Sequence, residues 1–210
     1  MYVGTSGWAY PSWKPGFYPA GTASADFLRF YAERFPTVEL NTTGYRLPAE
    51  DQFRRWAEQA PPGFEFAPKL PGNRLRSLDE FDRRVRVLGE RLGPVRVSVK
   101  SPRDEGLLEL LLGSLDPSLR LAFDLEDPSW DGVEGRLAEA GAVRVNDLET
   151  DAPFRYVRLR EPPYSDDDLR EWAERLRGSP VPTFVYLRHE DEPTAPRYAE
   201  RLTELLRHAA

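Results

Sequence analysis

The sequence predicts an α/β protein of the TIM-like (β/α)8 barrel class, one domain spanning residues 1–210. Three observations predict it. Short runs with the period-two alternation of strands exchange with longer runs of helical spacing all along the chain. Strict exchange of strand and helix requires parallel strands with right-handed crossovers, and eight such strands in 210 residues fit a closed barrel better than an open doubly wound sheet. No G-x-G-x-x-G follows a strand, Gly4-x-x-Gly7 is too short and too aromatic for a dinucleotide loop, and no P-loop, nucleophile elbow or zinc-protease motif is present.

Tyr2 to Ser6 reads as the first strand, followed by a loop from Gly7 to Gly21 that spends Trp8, Tyr10, Trp13, Phe17 and Tyr18 where turn residues would suffice. Such a loop packs over something or forms a pocket wall. Phe27, Leu28, Tyr31 and Ala32 sit at helical spacing, with Ser24 as the expected N-cap. Thr37 to Asn41 is strand two: Val38 and Leu40 alternate with Glu39 and Asn41, so a carboxylate and an amide share one face. Glu50 to Gln59 is a helix ended by Pro61-Pro62-Gly63, Phe64 to Lys69 strand three, and Leu78 to Leu92 one continuous helix. Val95 to Lys100 is strand four, Glu105 to Leu115 its helix, Leu119 to Glu126 strand five, and Val133 to Ala140 the next helix. Ala142 to Asn146 is strand six. The segment from Asp147 to Pro153 is too short for a full helix, so the helix after strand six is reduced or missing. Phe154 to Arg160, Asp166 to Arg177, Thr183 to Arg188 and Ala195 to Arg207 complete the alternation.

Composition narrows the function. A net charge of −6 disfavours a surface built for nucleic acid, leaving nucleic-acid processing as a minor alternative. The absence of Cys removes thiolate chemistry and Cys-ligated metal sites. No run approaches the roughly 18 apolar residues of a membrane span, and Met1 to Thr5 does not open a leader, so no membrane association and a cytoplasmic location are expected. The oligomeric state is not legible.

In a barrel of this class the C-terminal strand ends and the loops after them build the site. That nominates Ser6, Glu39, Asn41, Lys69, Lys100, Asp124, Glu126, Asn146, Asp147, Arg158, Arg160 and His189. An ionised carboxylate inside a barrel mouth needs a partner or a use, so Glu39 is the expected catalytic base. Lys69 on the neighbouring strand is the expected acid or charge partner; the plainer reading is a structural Glu39–Lys69 ion pair. Asp124 and Glu126 share a face by parity and suit an acid–base pair or a divalent cation, against the plainer reading of Asp124 paired with Arg158 and Glu126 solvated. Arg158, Arg160 and Arg188 come from the quarter of the barrel where phosphate groups often sit. His189 is the one histidine near a strand end, His208 lying close to the C-terminus, so no metal and no other cofactor is expected. Trp8, Tyr10, Trp13, Tyr18, Tyr45 and Trp130 ring the mouth if the loops fold inward, or lid the barrel as core. The sum is a metal-independent enzyme acting on a small anionic, ring-containing substrate such as a sugar phosphate or nucleotide, with Glu39, Lys69 and Asp124 as catalytic candidates. The alternative is a small-molecule binding protein or lapsed enzyme.

Four stretches in order carry a resemblance: Gly4-Thr5-Ser6-Gly7-Trp8-x-Tyr10, Phe17-Tyr18-Pro19, Val38-Glu39-Leu40-Asn41-Thr42 with Tyr45-Arg46-Leu47-Pro48, and Pro128-Ser129-Trp130. Together with the Tyr156-Val157-Arg158-Leu159 strand they resemble the domain-of-unknown-function 72 family, the YecE-like barrels. The resemblance implies a TIM-like barrel with a pocket at its mouth and no agreed activity. It also marks departures: Glu126-Asp127 stands where the family usually has Arg-His, Arg160-Glu161 where it has His-Gly, and Gly44 where it has Phe. Leu187-Arg188-His189 replaces an aromatic-Asn-Asn. Two family histidines are therefore replaced, and the chain is shorter than most members.

Overall fold

A computed structural model describes residues 1–71 and 77–207; the sequence expectation for His208 lies outside the described residues. Eight parallel strands run in the order β6-β5-β4-β3-β2-β1-β8-β7. They are β1 Tyr2–Ser6, β2 Thr37–Leu40, β3 Glu65–Pro71, β4 Val95–Val99, β5 Leu121–Leu125, β6 Val143–Arg144, β7 Arg155–Leu159 and β8 Thr183–Leu187. The helices between them are α1 Phe27–Ala32, α2 Glu50–Gln59, α3 Leu78–Val85, α4 Glu105–Ser114, α5 Glu134–Glu139, α6 Asp166–Leu176 and α7 Thr194–Arg207. This is the predicted TIM-like barrel, and among the described residues no helix separates β6 from β7.

Strand parity sorts the residues into two layers. Val38, Leu40, Val95, Val97 and Phe123 point outward and join Phe27, Phe53, Phe81 and Leu202 in the layer between sheet and helices. The opposite parity fills the lower barrel with Ala67, Ala122, Val143, Phe154, Tyr156, Phe184 and Tyr186. Above this apolar plug the inner face becomes charged, at Glu39, Arg96, Asp124 and Arg158. Helix α1 is pinned to the sheet by one hydroxyl: Tyr31 Oη accepts from the Thr5 N–H at 2.8 Å and donates to the Thr37 carbonyl at 3.0 Å. Gly4 allows that approach, because a Cβ there would lie 2.1 Å from the Thr37 carbonyl oxygen.

Three local expectations are corrected. Ser24 does not cap α1; it opens a short 3-10 turn, Ser24–Asp26, and its side chain caps neither segment. The helix expected from Leu78 to Leu92 stops at Val85 and continues as a 3-10 segment broken at Gly89, whose φ is +58°. The barrel is nearly closed, not fully laddered. β6 pairs with β5 and β7 with β8, while between β6 and β7 a single residue does the joining. The Asn146 N–H donates to the Tyr156 carbonyl at 2.9 Å. The Asn146 side chain then imitates a strand backbone: Oδ1 accepts from the Arg158 N–H at 2.6 Å and Nδ2 donates to the Arg158 carbonyl at 3.1 Å. Its φ of +69° is left-handed, a region that asparagine enters more readily than most residues.

Candidate active site

Glu39 stands at the centre of the upper barrel and is 0% exposed. The Tyr156 hydroxyl donates to its Oε1 at 2.7 Å, and Arg158 Nη2 donates to Oε2 at 3.0 Å. The Nε atoms of Arg158 and Arg96 lie 2.9 and 3.3 Å from Oε1, in ion-pair reach but off the hydrogen-bond axis. Arg96 carries the network onward. Its Nη1 donates to Asp124 Oδ2 at 3.3 Å and its Nη2 to Asn41 Oδ1 at 3.1 Å. Asp124, 2% exposed, also accepts from Arg160 Nη2, and Arg158 Nη1 lies 3.8 Å away. Two carboxylates thus share three guanidiniums, the kind of full pairing that lets charges persist inside a fold.

Burial alone would raise the Glu39 pKa, but Arg158, Arg96 and the Tyr156 hydroxyl outweigh it and hold the carboxyl below its ordinary value. Burial, and then the Glu39 charge, push Tyr156 well above the usual phenol range, so it remains a neutral donor. Glu39 is consequently a fixed anion whose oxygens are already occupied.

The expected Glu39–Lys69 pair does not form. Glu39 takes its partners from β4 and β7, across the barrel, and no ion pair joins it to Lys69 among the described residues. Lys69 instead lies with its stem against Gly44, where a Cβ would come within 2.7 Å of Cδ, and its Nζ is 5.6 Å from the centre of the Tyr45 ring. Half-burial, then the charge of Arg96, lower its pKa. Lys69 is therefore the less committed proton carrier of the two.

Asp124 and Glu126 share a face and border one cleft, but their partners differ. Asp124 belongs to the buried network, while Glu126 is exposed and pairs with Lys100 at 3.3 Å. Among the described residues no three His, Asp or Glu side chains converge as metal ligands would.

The ends of β1 and β8 supply the other wall. Tyr10 stacks on His189, with ring centres 4.6 Å apart at 14°, and donates its hydroxyl to the Ser6 carbonyl at 2.9 Å. The His189 N–H donates to Ser6 Oγ at 3.2 Å. Burial, then Arg188 and Arg158, lower the His189 pKa and favour the neutral ring. Two buried nitrogens here have no hydrogen-bond partner, Arg160 Nε and His189 Nδ1. They border a cleft of about 810 Å³ that also takes in Arg188. Of its acidic residues, Glu161, Asp191 and Glu192 are exposed at the rim, where water and salt screen them, while Glu190 is half-buried and accepts from the Thr194 hydroxyl.

The aromatic expectations divide. Tyr10 is at the mouth. Trp130 is core, 1% exposed, with Nε1 donating to the Ser101 carbonyl at 2.9 Å, because the Asp127-Pro128 turn folds the indole under the loop after β4. Trp13 and Tyr18 are fully buried as well. Trp8 turns away from the barrel axis to pack edge-on against Trp56 of α2, and Tyr45 stands 77% exposed beside it. Arg96 and Tyr156 were not anticipated, although Val95-Arg96-Val97-Ser98-Val99 has the same apolar–polar alternation that singled out Glu39.

Comparison with known proteins places this geometry. The family model described as "Protein of unknown function DUF72" matches residues 2–210. The UPF0759 protein YecE of Escherichia coli (strain K12) is 30% identical over 142 residues, which are 62% of this chain and 50% of that protein. The chain thus spans about half the length of the curated relative it matches. The crystal structure of a DUF72 family protein from Thermotoga maritima superposes with a TM-score of 0.84 at 24% identity, covering 98% of each chain. One from Enterococcus faecalis gives 0.77 at 14% identity, over 89% of this chain and 95% of that one. Both share the fold.

Proposed function

This chain belongs to the DUF72 family, and on that premise we propose that its barrel mouth binds a small phosphorylated sugar, with Lys69 as the proton-transfer group of a metal-independent reaction. The observation that carries the reading is the unspent valence at the β7–β8 end. Arg160 Nε and His189 Nδ1 are buried without partners, and a buried polar atom left unpaired costs free energy unless a ligand or ordered water completes it. Charge supports the reading within the buried layer: Glu39 and Asp124 are shared by Arg96, Arg158 and Arg160, three cations to two anions, while Glu161, Glu190, Asp191 and Glu192 line the outer cleft. In this reading Glu39 anchors Arg158 and Arg96 and gives the mouth its fixed field, while Lys69, with its lowered pKa, moves the proton. Asp124 holds Arg160 toward the anion.

A thermal-shift series with ribose 5-phosphate and glucose 6-phosphate, each with and without divalent cations, tests this. At a hundredfold excess over Kd the native state gains about 2.7 kcal/mol, which for a chain of this size is a Tm rise of roughly 5–10 °C. Arg160→Ala is expected to abolish the rise and Lys69→Met to preserve it while eliminating turnover. With Lys69 as base, kcat rises as pH approaches its pKa from below. If no sugar phosphate shifts Tm, the reading fails.

A second reading, a binding protein that has lost its reaction, is favoured by the saturation of Glu39 and Asp124 with guanidinium partners. It predicts the same Tm rise with no product formed. Nucleic-acid binding would instead appear as a steep loss of affinity with salt, and the net charge of −6 opposes it.

A further inference from the structure

Outside the mouth, where the loop after β1, the Asn41–Gly44 turn and α2 meet, lies a cleft of about 950 Å³. Trp8, Tyr45, Trp56, Arg46 and Arg55 line it, within the size and composition of small-molecule sites. Its charge distinguishes it. Among the described residues no Asp or Glu lines it, whereas the cleft at the ends of β5 and β6 sets Asp124, Glu126, Asp131, Glu134, Asp147 and Glu149 against Arg144 and Arg160. Among the described residues no carboxylate pairs with Arg46 or Arg55; Arg55 donates to the neutral Gln52 Oε1 at 2.9 Å. A third guanidinium, Arg84, is neutralised by Glu80 and braces the cleft by donating to the Leu47 and Pro48 carbonyls at 3.2 and 2.9 Å. The aromatic side is rigid: Trp8 and Trp56 meet edge to face at 5.2 Å and 85°, and Trp56 rests on Phe66 behind them. The Tyr45 ring beside them is 77% exposed, with Lys69 Nζ 5.6 Å from its centre.

We propose that this cleft binds a nucleoside monophosphate, its base against the Tyr45 and tryptophan rings and its phosphate on Arg46 and Arg55. Ring faces accept any base by stacking, and guanidinium forks match phosphate oxygens. The two chemistries occur side by side here and not at the mouth, where Tyr10 is already stacked on His189. The site adjoins the mouth through Lys69, whose Nζ is 5.6 Å from the Tyr45 ring centre, but its arginines, Arg46 and Arg55, are not those of the mouth.

Arg46 and Arg55 are both exposed, so their removal leaves the core intact. Isothermal titration of the whole chain with adenosine 5′-monophosphate tests the proposal, with ribose 5-phosphate as the anion without a base and adenosine as the neutral nucleoside. The expected result is saturable nucleotide binding at least roughly tenfold tighter than adenosine at this site, weakened about tenfold or more in Arg46→Ala/Arg55→Ala and in Tyr45→Ala, and unchanged in Arg160→Ala. The proposal is overturned if no saturable binding occurs, if the double variant binds as the wild type does, if adenosine binds equally well, or if Arg160→Ala removes nucleotide binding and thereby places it in the mouth. Loss of ribose 5-phosphate binding in Arg160→Ala reports on the mouth alone.

Discussion

Glu39 is worth most when one of its partners leaves. Replacing it by Gln leaves Arg158 and Arg96 facing each other and Asp124 in a buried site, so Glu39→Gln is expected to lose about 3–5 kcal/mol in urea denaturation. Removing both charges of the pair, in Glu39→Gln/Arg158→Gln, should cost less than the sum of the single changes, because neither member is then stranded. The pH dependence has a definite sign. The folded Glu39 pKa is depressed, so its contribution is complete above the ordinary glutamate value of about 4.3 and disappears as pH falls through the lower folded value. Below about pH 4.3 the wild type should therefore lose stability more steeply than Glu39→Gln, as acid titrations followed by circular dichroism would record. Individual polar residues were legible where they broke an apolar alternation: Glu39, Asp124 and Arg158 all reached the inner face. Their partners were not legible. Lys69 is the neighbour of the Glu39 strand in sequence order, but strand tilt aims Glu39 across the barrel at Arg158 and Arg96, and that is a property of closure which no local window contains.

At the scale of elements the instructive piece is the seam between β6 and β7. All eight strands and the missing helix could be read from periodicity, since Asp147 to Pro153 is too short to cross the sheet as a helix. That one side chain would take over a missing ladder could not, because Asn146 looks in sequence like a common turn residue. Its replacement separates two contributions. Asn146→Gly tolerates the left-handed backbone and loses two hydrogen bonds, about 1–3 kcal/mol, whereas Asn146→Ala adds a further 1–2 kcal/mol of backbone strain. Amide exchange at Arg158 should accelerate in both variants, with no comparable change at Val157, which lies within the ladder to β8. The break of the third helix at Gly89 escaped for a similar reason: Leu88 and Leu92 keep the helical rhythm on either side of a residue that departs from it.

Over the whole molecule, the apolar plug below and the ionic layer above divide the barrel into a part that holds the fold and a part that holds charge. The whole chain has a net charge of −6, yet the buried layer of the upper barrel gathers three guanidiniums, Arg96, Arg158 and Arg160, around two carboxylates, Glu39 and Asp124. The ionic layer also has a parentage. Glu39, Arg96 and Asp124 come from the chain before the seam, and Tyr156, Arg158 and Arg160 from the chain after it. No strand ladder runs between β6 and β7, so a cut between Asp147 and Pro153 would sever no sheet, and the later piece would still be laddered to the earlier one through β8 and β1. Residues 1–149 and 150–210, produced as separate polypeptides, are therefore expected to reassemble and copurify. Glu39→Gln in the larger piece should weaken that complementation. With both carboxylates on one piece and two of their three guanidiniums, Arg158 and Arg160, on the other, the barrel mouth is a lock that two half-proteins can close.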